Sequence, residues 1–190
     1  MDVRDPTDVK AYERWLDTIT IGGATPLSEP IELRGYDPEW PAVYERAKAQ
    51  IRSILGVRVM RIEHVGSTAV PGLCAKPVVD IALEVADSDA EETYVADLEA
   101  AGYALRIREP DWFGHRLFVR PGARVNLHVF SVGCDEVAAM LRFRDHIRAN
   151  AADREIYASA KRELARRSWT YGQQYADAKS GVVREIMARA

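Results

Sequence analysis

Cysteine is scarce in this chain: Cys74 and Cys134 are the only two among 190 residues, and they form no CxxC pair. Neither a disulfide framework nor a cysteine-built zinc site is supported, and a reducing cytoplasm is the simplest setting for so few thiols. Long apolar runs are missing as well. No window approaches the ~18 consecutive apolar residues that crossing a bilayer takes. The opening MDVRDPTDVKAYERW is acidic and polar, with no apolar h-region, so neither a membrane span nor a secretory signal is expected. There is no internal repeat, no low-complexity tract, no GxxxxGK[ST] loop and no GxGxxG fingerprint. What is present is a globular composition, 47% hydrophobic and 29% charged in a mass of 21.3 kDa. That suits one domain, or one domain with a helical appendage, and excludes a disordered chain, a coiled-coil rod and a collagen-like repeat.

Charge is unevenly spread. From Leu141 onward 11 Lys/Arg face 6 Asp/Glu, a balance of +5, while the preceding part carries −8 within the total of −3. The basic tail either attracts a phosphorylated ligand or is the solvated face of a helical pair. The acidic remainder argues against a nucleic-acid partner, which usually meets a basic footprint.

Residues 1–30 read as a helical extension: Tyr12, Trp15, Leu16 and Ile19 fall on one face of a helix over 7–19, which Gly22-Gly23 ends. A short strand is expected at Ile31–Leu33. Asp37-Pro38 has the form of an N-cap with proline at the first helical position, ahead of a helix from Trp40 to Leu55. Strands follow at Arg58–Val65 and Pro77–Val85, separated by the small-residue loop Gly66–Lys76. Ser88-Asp89-Ala90-Glu91 has capping-box spacing and predicts a helix to Gly102. Strands are expected near 103–107, 116–119 and 124–130, and two or three helices from Asp135 to the end. The order defines an α+β architecture: a mixed sheet core over 31–134 and a helical region over 135–190 packed on it.

Three places in this order carry candidate chemistry. In His64-Val65-Gly66-Ser67-Thr68 a strand runs into a small-residue turn. Glycine there allows close backbone approach, and Ser67 and Thr68 offer hydroxyl and N–H groups to phosphate oxygens, although Gly-Ser-Thr also occurs in ordinary turns. Asp80 interrupts an apolar strand. Alternation puts it on one face with Ala82 and Glu84, which either points carboxylates into a cleft or faces solvent. His128, with Asn126, lies on the polar face of the last strand, beside His115-Arg116 on its hairpin partner. Tyr157 with Lys161, and Tyr175 with Lys179, are aromatic–cation pairs at i, i+4.

The run Arg61-Ile62-Glu63-His64-Val65-Gly66-Ser67-Thr68-Ala69-Val70-Pro71-Gly72, continuing through Lys76-Pro77-Val78-Val79-Asp80-Ile81, resembles the signature of the GrpB-like (glutamate-rich protein B) family. Gly35-Tyr36-Asp37-Pro38-Glu39-Trp40-Pro41 is similar to its opening. Asn126-Leu127-His128-Val129-Phe130, Arg142-Phe143-Arg144-Asp145 and the spaced Tyr157, Lys161, Tyr175 and Lys179 are similar to its later blocks. The resemblance runs from about Ile31 to the C-terminus and implies a nucleotidyltransferase-like fold. It also implies ATP or another NTP as substrate, a small-molecule acceptor and Mg²⁺ ions held by strand carboxylates, the two-metal mechanism. By position, Gly66, Ser67 and Thr68 would hold phosphate, helped by Lys76, Arg116, Tyr157, Lys161 and Lys179. Asp80 would be the first metal ligand, and His128 a base or phosphate donor.

One departure matters. Ala82 stands where that superfamily has its second carboxylate, and the later strand offers Asn126 and His128, not an acid. Glu84 shares the face but lies two residues beyond Ala82, about 7 Å further at ~3.3–3.4 Å per residue. A one-metal enzyme, a site completed by His128 and Glu84, and a non-catalytic nucleotide- or anion-binding module all fit this sequence.

Overall fold

In the computed structural model, which describes residues 8–190, five strands form one mixed sheet. They are β1 (Arg61–Val65), β2 (Val79–Val85), β3 (Ala104–Glu109), β4 (His115–Arg120) and β5 (Val125–Ser131). Their spatial order is β1-β2-β5-β4-β3. Only β2 and β5 run parallel; every other neighbouring pair is antiparallel. Period-two alternation divides β2 between two layers. Val79, Ile81, Leu83 and Val85 join the main core with α2 (Trp40–Leu55) and α3 (Val95–Ala100), whereas Ala82 packs in a separate cluster with Val65, Phe130 and Val137. On that second face lie α4 (Asp135–Ala149), α5 (Ala151–Ala165), α6 (Gly172–Ala178) and α7 (Ser180–Met187). The Asp80 face is therefore roofed by helices and is not an open solvent face.

Helix α1 (Val9–Ile19) starts where Asp8 accepts from the Ala11 N–H at 3.0 Å, and it buries Tyr12 and Leu16 against Tyr171. Position 7, the expected first residue, lies outside the described residues. The Tyr12 hydroxyl bonds Asp177 at 2.5 Å, and the Ile21 N–H bonds the Arg106 carbonyl at 2.8 Å. The N-terminal extension is thus tied both to the helical region and to the sheet edge.

Several local expectations are corrected. Ile31–Leu33 is not a strand; the only pairing beside it is an isolated bridge of the next residue, Arg34, with Ala75. Asp37 does not cap α2 but accepts from the Glu39 N–H at 2.9 Å, and the first-turn proline is Pro41. Ser88 and Glu91 form no capping box. The Ser88 hydroxyl meets Ser131 at 3.0 Å, Glu91 turns to Arg108 and Arg116, and a short 3₁₀ turn at Glu91–Thr93 precedes α3. The C-terminal region holds four helices instead of the two or three expected, α6 and α7 being separated by the single residue Lys179.

Candidate anion-binding site

The first turn after β1 sits directly over Asp80. Cross-strand register pairs Val65 with Asp80, and the chain leaves at Gly66 with φ +70°, a left-handed conformation that favours glycine. A Cβ at Gly66 would stand 2.5 Å from Asp80 Oδ2, so absence of a side chain is needed for two separate reasons. The turn is fastened from both ends. Thr68 Oγ1 lies 3.0 Å from His64 Nε2, Arg144 of α4 donates to the His64 carbonyl at 2.9 Å, and Arg148 donates to the Ala69 carbonyl at 2.9 Å. Arg144 and Arg148 are positioning residues; Arg144 lies in a block that carries the family resemblance, which assigns it no role, and no local motif announces Arg148.

Asp80 Oδ1 accepts from Asn126 Nδ2 at 2.9 Å, with His128 Nε2 at 3.7 Å. Parallel register explains both contacts, since Asn126 is paired with Asp80 and His128 with Ala82. Burial pushes the Asp80 carboxyl up, but hydrogen bonds from His128 and Asn126 and the charges of His128 and Lys179 outweigh it and hold the group below its ordinary value. Behind His128 runs a relay: Glu109 Oε2 to His115 Nδ1 at 2.9 Å, and His115 Nε2 to His128 Nδ1 at 3.0 Å. A carboxylate only accepts, so His115 donates from Nδ1 and receives at Nε2. The Nδ1 proton of His128 then points back along the relay, and its Nε2 faces Asp80 and the pocket.

Three lysines converge on this floor. Lys161 is only 2% exposed; its ammonium donates to the Cys74 carbonyl and lies 5.2 Å from the Tyr157 ring centroid. Lys179 lies 4.7 Å from the Tyr175 ring centroid. Burial, followed by repulsion from Lys179, lowers Lys76 and brings Lys161 down to about 7. Lys179 is lowered by burial while Asp80 pulls the other way.

Two connected chambers result. The smaller, about 280 Å³, is lined by Ser67, Thr68, Lys76, Asp80, His128, Lys161 and Lys179. The larger, about 480 Å³, shares Ser67, Asp80, His128 and Lys179 and adds Gly66, Tyr157 and faces of α4 and α7. A separate cavity of about 320 Å³ between Arg34, Trp40 and Arg124 lies on the α2 side of the sheet; its Arg34 is already held by Glu32 at 3.0 Å.

Two expected site residues are not there. Glu84 is four residues from Asp80, roughly 13 Å along the strand. It is buried and spent on the Gly133 N–H at 2.9 Å, with Arg61 at 3.7 Å. Arg116 is paired in register with Val129 and so projects to the α2–α3 face, opposite Asp80. There it binds Asp89 at 2.8 Å, Glu91 at 2.7 Å and the Gly114 carbonyl at 2.9 Å. Arg116→Met is therefore expected to lower unfolding free energy by about 1 kcal/mol through loss of its buried hydrogen bonds, since Glu91 keeps Arg108 and Asp89 is exposed to water, without changing anion affinity. Urea denaturation and calorimetric titration of the same variant check both halves.

Among the described residues no group of three His, Cys, Asp or Glu side chains is placed to hold a metal ion. With Ala82 neutral and Glu84 committed elsewhere, the residues present do not fit a two-magnesium centre.

His64 and His115 are both brought down to about 4, chiefly by burial. The folded state keeps them neutral where the unfolded chain, with histidines near 6.5, takes up protons. Stability is therefore complete above pH 6.5 and falls as acid approaches pH 4, by about 2–3 kcal/mol for each group. Urea midpoints at pH 7 and pH 4.5 measure it; equal midpoints would contradict the buried neutral assignment.

The fold and site define an α+β protein whose small-residue turn closes over an acidic strand, with basic helices covering the cleft. Comparison with known proteins gives the family. The profile of the GrpB protein family matches residues 30–189, and the chain belongs to that family. It is 56% identical over 175 residues to a UPF0157 protein of Halalkalibacterium halodurans, covering 92% of this chain and 90% of that one. The crystal structure of the conserved protein GrpB from Enterococcus faecalis superposes with a TM-score of 0.68 at 25% identity, over 83% of this chain and 98% of that one. A protein named dephospho-CoA kinase from Mycolicibacterium paratuberculosis is 29% identical over 187 residues, covering 85% of this chain but only 46% of the kinase.

Proposed function

We propose that this protein binds a phosphorylated small molecule, a nucleotide or a related phosphate ester, in the lysine chamber without two-metal chemistry. One observation carries the reading. Lys76, Lys161 and Lys179 line a chamber whose lining contains a single carboxylate, Asp80. Buried charge of one sign is costly unless compensated, and a phosphate group supplies the missing negative charge while accepting hydrogen bonds from Ser67 and Thr68. Tyr175, which lines the same chamber, has a buried hydroxyl with no hydrogen-bond partner among the described residues. The dephospho-CoA kinase relative supports a ligand of the phosphorylated class. Its kinase activity does not carry over, because this chain spans less than half of that protein and has no GxxxxGK[ST] loop.

Calorimetric titration with ATP and with inorganic phosphate, each with and without Mg²⁺, tests the proposal. Binding without Mg²⁺ is expected, weakened roughly 10–100-fold in Lys179→Met by loss of a charge-assisted contact. Asp80→Asn is expected to bind the anion as tightly as the wild type or more so, since it removes the one negative neighbour. Binding that requires Mg²⁺ and vanishes in Asp80→Asn would sink this reading in favour of a nucleotidyltransferase. A second reading rests on the Glu109–His115–His128 relay, which fixes His128 with Nε2 toward Asp80 and the pocket, placed to exchange a proton with an acceptor. Release of pyrophosphate or AMP from ATP, in the presence of candidate small-molecule acceptors and lost in His128→Asn, would establish it.

A further inference from the structure

The larger chamber differs in kind from the lysine chamber that it adjoins. Helix α4 turns Glu136, Ala139, Met140, Phe143 and Ile147 toward it, an i, i+3, i+4, i+7, i+11 series on one helical face. Helix α7 supplies Val183 from the opposite wall. Met140, Phe143 and Val183 are only half-buried although apolar, so their exposed surface faces the cavity rather than other side chains. Arg144 does not make this wall polar, because its guanidinium is already used by Glu63 at 3.1 Å, Asp145 at 2.8 Å and the His64 carbonyl. The two chambers share Ser67, Asp80, His128 and Lys179 as a common floor, so one molecule can occupy both. A volume of about 480 Å³ whose uncovered lining is mostly apolar, with that shared polar floor and with Glu136, Ser180 and Arg184 also on its walls, has the build of a small-molecule site.

We propose that the α4–α7 chamber holds an uncharged hydrophobic body, aryl or short branched alkyl, covalently attached to the phosphate that the lysines hold. The ligand class is then an amphiphilic phosphate ester, and this inference rests on the phosphate reading above. Met140 is the adaptable contact, since an unbranched thioether fits itself to an aromatic edge or an alkyl chain. Phe143, edge-on to Tyr157 at 5.0 Å, is the rigid one.

The test uses the full chain carrying ¹³C-methyl methionine and three probes: phenyl phosphate, ribose 5-phosphate and inorganic phosphate. Phenyl phosphate is expected to bind at least tenfold more tightly than inorganic phosphate and to shift the Met140 methyl resonance through its ring current. Ribose 5-phosphate, with a polar body, should stay within about threefold of inorganic phosphate. Met140→Gln should remove most of the phenyl preference while leaving inorganic phosphate affinity within twofold, and Val183→Thr provides the same readout from the other helix. Equal affinities for all three probes, with Lys179-dependent phosphate binding intact, would overturn this inference and leave the phosphate reading standing. A phenyl preference unchanged in both variants would overturn it too, by placing the hydrophobic body elsewhere. Failure of all three probes to bind would overturn the phosphate reading and this inference together.

Discussion

Gly66→Ala is expected to lower unfolding free energy by roughly 3 kcal/mol and to weaken anion binding, because the turn that carries Ser67 and Thr68 must shift. Two terms add. A non-glycine residue at φ +70° costs about 1–2 kcal/mol. The new methyl would also stand 2.5 Å from Asp80 Oδ2 and 3.1 Å from its Cβ, and this overpacking adds about 1–3 kcal/mol. The clash cannot relax cheaply, because Asn126 holds the carboxylate from the neighbouring strand and Arg148 and His64 hold the turn. Gly72→Ala is the control: φ is +78° in the same loop, but the added methyl meets nothing within 4 Å, so only the conformational cost of about 1 kcal/mol should appear. In the background of Asp80→Ala, Gly66→Ala should cost distinctly less, since the 2.5 Å contact has gone. Thermal or urea unfolding of the four proteins gives the coupling energy, and additivity of the two substitutions would show that the turn does not press on Asp80.

The ligand-free protein should become more stable, not less, as pH rises from 7.5 to 9. Lys161 is brought down to about 7, first by burial and then by the charge of Lys179. An unfolded lysine near 10.4 keeps its proton throughout that window, so the unfolded chain binds more protons than the folded one and stability climbs with pH. One group fully out of step contributes about 1.4 kcal/mol per pH unit; a gain of about 1–2 kcal/mol over the window is expected. Lys161→Met should flatten the profile. Anion binding reverses the balance, because a phosphate beside Lys161 favours its charged form. Titration with ATP at pH 8 should therefore take up a fraction of a proton, seen as binding heats that depend on the buffer's ionisation enthalpy, and affinity should fall as pH rises past 8. Buffer-independent heats would mean that Lys161 does not face the anion.

Much of the sheet was legible because its signals are local. Alternation in Val79–Val85 marks both faces of β2, and the Arg61–Ile81 segment carries the family resemblance along with the turn and the acidic residue. Several misplaced elements were those in which a short polar motif was satisfied by a partner other than the one its spacing suggests. Asp37 and Ser88 look like helix caps, but a nearby backbone N–H takes the first and Ser131 the second. Arg116 and Glu84 look like site residues for the same reason. Which face a strand residue serves depends on register with its neighbours, and neither the Val129 pairing of Arg116 nor the Gly133 turn under Glu84 is written in the adjacent residues.

By itself, the sequence determined the α+β order, the placement of a glycine-led turn before an interrupted strand, and the shortage of carboxylates that Ala82 creates. Periodicity, glycine and residue type act within a few positions of themselves, so they survive without any knowledge of the partner. Only the tertiary structure decided that Lys161 and Lys179, more than eighty residues after Asp80, share its chamber, and that α4 and α7 enclose an apolar cavity beside it. Those facts follow from long-range packing of the helical region on one face of the sheet, where charge and cavity are set by what the chain brings back from far along its length.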